Sequence, residues 1–429
     1  MRTLNEDNCM KAWIFLSALV GALLALGFTR APSDSWAEFR GPGGEGHSDA
    51  TGLPREWSET KNVVWKTPIH GRGWSSPVVM GKQIWMTTGT PDGKELSVIC
   101  VDRESGKVLV DHKLFDVAKP DELWKKFNSY ASPTPVLEEG HVYVHYGCYG
   151  TACLDAKAGK VLWARNDMPC NHWRGAGSSP IVWQNLLILT FDGYDQQYLT
   201  ALDKKTGKTL WRADRKHDFG TQDGDAKKGF STPVVIEVGG KPQLVSSASA
   251  ATSALDPMTG KVLWTVTYKG HSPASKVLYG NGLVYFTTGA GGELLAVKPD
   301  GSGDVTSSHI AWRAKVGAHK PSPLLVDDLI YVVNDGGTAA CFDAKTGQQA
   351  WKQRVVGTGY SASPLFADGA IWFFAEDGSA MAIQPGKEFK ELGKSKLEAG
   401  NECKMTPAIV GKSIFLRTTD ALYRIEQKQ

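Results

Sequence analysis

Short apolar runs recur along most of the chain: QIWMTT at 83–88, HVYVHY at 141–146, LLILTF at 186–191, QLVSSA at 243–248, LVYFTT at 283–288, LIYVVN at 329–334, IWFFAE at 371–376 and SIFLRT at 413–418. They are too short for helices, rich in β-branched and aromatic residues, and bounded by Gly, Asp and Asn, so they read as buried strands. Each is preceded by a shorter apolar run that opens on Ser/Thr-Pro. The openings are Ser76-Pro77, Thr134-Pro135, Ser179-Pro180, Thr232-Pro233, Ser272-Pro273, Ser322-Pro323, Ser363-Pro364 and Thr406-Pro407. Proline as the first residue of a strand costs no ladder hydrogen bond, which suits an innermost strand entered from a loop.

A second pattern follows each pair of runs. ALDKKTGKTLW at 201–211 has close copies at 153–163 (CLDAKAGKVLW), 254–264 (ALDPMTGKVLW) and 341–351 (CFDAKTGQQAW). Asp155, Asp203, Asp256 or Asp343 is followed four residues on by Gly159, Gly207, Gly260 or Gly347, and eight residues on by Trp163, Trp211, Trp264 or Trp351. The aspartate supplies an Asx hydrogen bond and the glycine a positive φ, so each copy predicts a hairpin. Weaker copies stand at 100–110, with Val110 in the tryptophan position, at 296–312, where Trp312 follows an insertion, and at 382–386, which has no tryptophan. NVVWKTPI at 62–69 looks like the back half of a repeat around Trp65, and ALYRIEQ at 421–427 is a third strand lacking its fourth. Pairing these two stretches closes a ring and removes the exposed sheet edges of an open array.

The fold expected is therefore all-β: an eight-bladed β-propeller of four-stranded antiparallel blades over 62–429, closed by an N-terminal strand. Trp65, Trp163, Trp211, Trp264, Trp312 and Trp351 fall on the outermost strands, where they can cover the gaps between blades.

Ahead of the ring, 32–61 is rich in Gly and Pro and predicts a lead-in without regular structure. Residues 12–28 (AWIFLSALVGALLALGF) form an uncharged apolar run after Arg2 and Lys11, the pattern of a signal peptide or of an uncleaved anchor, with small residues for cleavage at Ala31 or Ala37. Lys and Arg exceed Asp and Glu by only three (48 − 45), which gives no basis for nucleic-acid binding. Cys100, Cys153 and Cys341 occupy the slot held by alanine in other repeats and predict small buried residues too far apart to pair; Cys148 and Cys170 could form a disulfide.

Both motifs together resemble the pyrroloquinoline-quinone-type β-propeller superfamily, whose tryptophan-docking repeat is [Ala/Cys]-x-Asp-x-x-[Thr/Ser]-Gly-x-x-x-Trp. In size and lack of added domains the chain is most similar to BamB-like exported propellers, and FRGPGGEG at 39–46 is similar to the N-terminal signature of uncharacterised exported propellers. The resemblance implies an exported, periplasmic or envelope-associated binding or scaffolding protein, a monomer, touching a membrane only through 12–28. Superfamily members that are dehydrogenases bind the quinone with Ca²⁺ on the axis, often beside a disulfide between adjacent cysteines. This chain has no adjacent cysteine pair and no Cys-x-x-Cys-His, so no cofactor, metal ligand or catalytic residue is expected outside that alternative.

The loops leading from each outer strand to the next inner strand converge on one face of a propeller. Here they carry Arg72, Trp74, Tyr130, His172, Trp173, Arg174, His271, Lys320, Tyr360 and Lys404. A concave mouth of cations and aromatics would suit a small acidic ligand or an acidic segment of an envelope protein. A third reading is a carbohydrate- or polymer-binding module using Trp74 and Trp173.

Overall fold

The computed structural model describes residues 34–123, 127–398 and 403–428. The apolar run at 12–28, the cleavage position at Ala31, and Asn401 and Glu402 of the last axial loop lie outside the described residues. Among the described residues, no helix is long and apolar enough to cross a membrane.

Eight antiparallel sheets follow one another along the chain, and each opens on its innermost strand. Blade 3 is typical: Ile181–Trp183, Leu186–Asp192, Gln197–Asp203 and Thr209–Asp214. Blades 1, 2, 4, 5, 6 and 7 span 78–116, 136–165, 234–267, 278–315, 324–354 and 365–396. Blade 8 is built from both ends of the ring. Ala408–Val410, Ser413–Arg417 and Ala421–Ile425 are completed by Val63–Pro68, with Val63 opposite Ile425 and Pro68 opposite Ala421. The architecture and the closing strand are those expected from the repeats. Gly303–Asp304, in the insertion of blade 5, adds a short parallel strand to the outer edge of blade 4.

The hairpin chemistry accounts for the repeated motif. Asp203 Oδ1 accepts hydrogen bonds from the backbone and hydroxyl of Thr206 at 2.9 and 2.8 Å, and Gly207 N donates to Asp203 O at 2.8 Å with φ at +72°. Asp102, Asp155, Asp256 and Asp343 close their turns in the same way. A bulge then shifts the register, so that Ala201 pairs with Trp211 but Leu202 with Thr209. The shift sets each indole opposite a small residue: Cys153 faces Trp163, Ala254 faces Trp264, Ala296 faces Trp312 and Cys341 faces Trp351. All six described cysteines are free thiols, Cys148 and Cys170 included.

From that position the indole reaches the next blade. Trp163 Nε1 donates to Lys204 O at 3.0 Å, Trp211 to Pro257 O at 3.0 Å, Trp312 to Ala344 O at 2.9 Å, Trp351 to Gly386 O at 3.1 Å, and Trp65 to Arg103 O at 3.3 Å. The ring lies on the neighbour's turn glycine so closely that a Cβ on Gly207 would stand 2.7 Å from Trp163. Val110 occupies the same place against Gly159.

Two seams depart from the pattern. Trp264 is fully buried and donates within its own blade, to Gln243 Oε1 at 2.8 Å, because the Gly303–Asp304 insertion covers it. In blade 7 Gly393 stands opposite Ala382 where a tryptophan would be, and the lead-in passes through the space, with Arg55 O 2.4 Å from where a Cβ would sit. Trp57 of the lead-in fills that seam: its ring centroid is 5.7 Å from that of Trp372 and its backbone N–H donates to Ser395 Oγ at 3.0 Å.

One opening also differs from the sequence reading. The inner strand of blade 5 starts at Leu278, so Lys276-Val277, and not Ser272-Pro273, holds the place of the Ser/Thr-Pro pair. Lys276 N donates to Ser322 Oγ at 2.8 Å, as Ser322 N does to Ser363 Oγ and Ser363 N to Thr406 Oγ1, both at 3.0 Å.

The docking contact predicts non-additive losses. Trp163→Ala should destabilise by about 2–4 kcal/mol and Gly207→Ala by about 1–3 kcal/mol, and the double variant should lose less than their sum because both remove one contact. Leu162→Ala, on the exposed bulge residue, should stay within about 0.5 kcal/mol. Urea unfolding of these four variants beside the wild type measures this.

A candidate axial binding site

The lead-in crosses the face of the ring that carries the turns after the inner strands. His47 Nε2 lies 2.6 Å from Leu325 O, Ser48 Oγ donates to Ile409 O at 2.8 Å, Leu53 N to Asp368 Oδ2 at 3.1 Å, and Leu137 N to Ala37 O at 2.8 Å, which ties the segment to blades 2, 6, 7 and 8. Ser35–Trp36 pairs with Met80 and Val79 of blade 1, and Trp36 is fully buried. The glycines of FRGPGGEG are required by what they touch. Gly41 (φ +73°) lies under the Trp36 ring, Gly44 (φ +68°) on the Lys276 ammonium and Gly46 (φ +82°) on the Arg40 guanidinium, each closer than a Cβ could approach. This segment is an axial plug, and Phe39 at its head faces the channel from within.

The channel is therefore a blind pocket of about 380 Å³, open toward the loops that lead into the inner strands. Near the plug it is belted by hydroxyls, Ser76, Thr134, Ser179, Thr232, Ser363 and Thr406, each from the position preceding a strand-opening proline. These hydroxyls accept the neighbouring blade's N–H, as Ser76 N donates to Thr134 Oγ1 at 3.0 Å and Thr134 N to Ser179 Oγ at 2.9 Å, so the belt is fixed by hydrogen bonds running from blade to blade. Phe39, Trp74, Phe127 and Phe230 form apolar walls, Arg174, Lys320 and Lys404 bring positive charge, His271 and His319 add imidazoles, and Asp335 is the single carboxylate of the lining.

Trp74 is the best-defined wall. Its backbone N–H donates to Ala131 O at 3.0 Å, and two cations stand over the ring, the Arg72 guanidinium at 5.4 Å and the Lys404 ammonium at 4.5 Å from its centroid. Trp74 Nε1 is buried and has no acceptor among the described residues, a donor placed at the wall of a pocket.

The cations are braced from behind. Glu376 accepts from Lys320 Nζ at 2.9 Å and from Ser361 Oγ at 2.5 Å, and lies 3.2 Å from Lys404 Nζ, while Arg174 Nη2 meets Asp225 Oδ2 at 2.5 Å. Burial alone would raise the Glu376 carboxyl, but Lys320, the Ser361 hydroxyl and Lys404 outweigh it and hold the group below the usual carboxylate value. Glu376 does not itself line the pocket, so the two ammonium groups are fixed in place yet still present charge inward. Reading only the loops into the inner strands overlooks Glu376 and Asp335. Both sit on turns between second and third strands, which return to the same face, and the signal was the charged turn after IWFFA and LIYVV.

Of the ten loop residues singled out from the sequence, Trp74, Arg174, His271, Lys320 and Lys404 line the pocket and Arg72 packs behind Trp74. The other four have different surroundings. Tyr130 donates to Asp121 O at 2.6 Å and packs on Gly93. His172 is buried beside Phe191, its carbonyl taken by Lys228 Nζ at 3.0 Å, and burial pushes its imidazole well below the ordinary value. Tyr360 is fully buried, with its hydroxyl on Val356 O. Trp173 is 47% exposed and pairs with Tyr194, ring centroids 6.1 Å apart, on the surface.

A ring of eight four-stranded blades stitched by docked indoles defines a β-propeller of the pyrroloquinoline-quinone-like superfamily. Within it, the chain belongs to the family described as outer membrane protein assembly factor BamB, matched over residues 57–235, 195–306 and 296–387. The crystal structure of BamB from Moraxella catarrhalis superposes with a TM-score of 0.59 at 10% identity, covering 85% of this chain and 99% of that one. Quinohemoprotein alcohol dehydrogenase from Comamonas testosteroni superposes with a TM-score of 0.67 at 13% identity, covering 92% and 81%. Tetrathionate hydrolase of Acidithiobacillus ferrooxidans is 21% identical over 356 residues, 76% of this chain and 67% of that protein. At these identities the two structures share the fold with this chain.

The Ca²⁺ that accompanies the quinone in dehydrogenases of this fold asks for a cluster of carboxylate and amide oxygens. Among the described residues no group of three or more His, Cys, Asp or Glu is placed to hold a metal, and the pocket's one carboxylate, Asp335, is committed to the backbone N–H groups of His319 and Lys320 at 3.0 and 3.2 Å. The donor set does not fit that ion.

Glu376→Gln should lower stability at neutral pH by on the order of 1–3 kcal/mol, because it withdraws the carboxylate that Lys320 and Lys404 share. The native Glu376 carboxyl titrates below its unfolded value, so its contribution is present above the unfolded value and is lost as pH falls through the native one. The gap between wild type and variant should therefore close on acidification, which thermal melts at neutral and acidic pH will show.

Proposed function

We propose that this protein is an exported binding propeller acting at the cell envelope, and that its blind axial pocket receives an anionic group carried on a flat or extended body. The observation that carries the reading is the pocket itself: Arg174, Lys320 and Lys404 stand in its lining while the carboxylates that brace them, Glu376 and Asp225, stand behind it, so that Asp335 is the one carboxylate of the lining, among aromatic walls with Phe39 at the far end. Positive potential focused in a concave, partly apolar site favours anions over neutral or cationic ligands. The anion could be a free small molecule or the acidic side chain of an envelope protein, in keeping with the family's description as an assembly factor.

Export is supported by the sequence pattern at 12–28. Since Trp36 is buried and pairs within blade 1, removal of a leader at Ala37 would take away part of the plug. Processing should fall upstream of Ser35, and the intact mass of protein recovered from the envelope fraction checks it.

The binding reading is tested by calorimetry with two dianions, naphthalene-1,5-disulfonate and tetrathionate. Binding should weaken with added salt, and Arg174→Ala or Lys404→Ala should each cost about tenfold or more in affinity. Absence of heat with both probes and with acidic peptides would remove the reading. A second reading draws on the likeness to tetrathionate hydrolase, and consumption of tetrathionate in the same cell would move the conclusion from binding to hydrolysis.

A further inference from the structure

Seven blades place a hydroxyl at the axial belt and blade 5 places Lys276 there, and this exception coincides with two cations buried inside the plug whose acidic neighbours, Glu38 and Glu45, lie nearer the surface. Lys276 and Arg40 are both buried, at 1% and 0% exposure. A Cβ on Gly44 would stand 1.7 Å from Lys276 Nζ and one on Gly46 2.6 Å from Arg40 Nη2, so the two cationic heads meet the same three-residue stretch. Their compensation is thin. Lys276 faces Glu38 at 3.7 Å, beyond hydrogen-bond range, and that carboxylate already accepts Gly43 N–H at 3.1 Å. Arg40 gives Nη2 to the backbone oxygen of Glu45 at 3.1 Å, and its Nε and Nη1 have no acceptor among the described residues. A guanidinium buried with two donors unmet is costly unless something accepts from them.

We propose that Arg40 and Lys276 together bind a small monovalent anion, of halide or nitrate size, inside the axial plug. Such an ion takes the unmet guanidinium donors and offsets the repulsion between two buried cations. Burial first, and then repulsion by Arg40, disfavour the charged form of Lys276 against the pull of Glu38, and an anion held by both cations would offset the repulsion. The size limit follows from the neighbours, since Gly41, Gly44 and Gly46 are already packed too tightly for a Cβ, and Glu38 repels a doubly charged ion. The site is separate from the axial pocket, whose lining includes neither Arg40 nor Lys276. The ion would fix the plug that forms the pocket's floor.

The test uses the full chain in two measurements. Crystals soaked in bromide should give an anomalous peak within hydrogen-bonding distance of Arg40 Nε or Nη1. In solution at constant ionic strength, replacing gluconate by bromide should raise the melting temperature in a saturable way, by about 2–6 °C. Lys276→Ser, which restores the belt hydroxyl, should abolish that saturable rise. Lys276→Arg should keep it, and Lys320→Ser, at the mouth, should keep it too. If the Ser variant does not fold, the bromide peak and the behaviour of the Arg variant decide. A water without anomalous signal at Arg40 would overturn the proposal. So would an equal response to gluconate and bromide, or a bromide peak with no effect on melting, which marks an adventitious ion only.

Discussion

An indole lying on a neighbour's glycine holds this ring together. Sheets of four short strands cannot stand alone, because each leaves two apolar faces, and stacking them radially buries those faces only if adjacent blades are held at one angle. The docked tryptophan sets that angle. Its ring needs a turn without a side chain, and its N–H needs a carbonyl that the turn leaves unpaired. Both needs are met by the Asp-x-x-Thr-Gly hairpin, whose aspartate closes the turn and whose glycine carries the positive φ. The small residue opposite the indole in its own sheet completes the arrangement, so four positions of one repeat are coupled by a single contact.

That coupling explains where the structure improvises. Blade 1 lacks the indole and uses Val110. Blade 7 lacks any side chain there, and Trp57 comes in from a segment that is not part of a blade. The same segment closes the axis with Phe39 and carries Arg40 into the interior. Sealing the last seam and flooring the pocket are thus two ends of one lead-in, and a change to either end bears on the other.

Repeat number, ring closure and the role of most tryptophans were legible because each rests on a local motif with its own turn chemistry. The register at blade 5 was not. Ser272-Pro273 has the right letters, but the chain needs a few more residues to come round the top of that blade, and the true ring position holds a lysine that no hydroxyl pattern would reveal. Among the candidate site residues, those in short loops beside the axis, Trp74, Lys320 and Lys404, do line the axial pocket, as converging loops place them. Tyr360 and His172 were not distinguishable from them, since a residue's position in a converging loop does not say whether its side chain turns toward the axis or back between blades. Glu376 and Asp225 escaped because attention fell on cations, whose partners come from other turns.

The pairing of Val63–Pro68 with Ala421–Ile425 sets a timetable for the chain. What emerges first from the ribosome or the export channel has its partners in what emerges last: Trp57 waits for Trp372, His47 for Leu325, and the closing strand for residues more than three hundred and fifty positions downstream. Until then the early blades stand as an open fan with two raw edges and an unfloored axis, the state in which an unfinished β-protein is most exposed to self-association. Completion arrives in one late step, when head and tail find each other, so this molecule gains its pocket and loses its adhesive edges at the same moment.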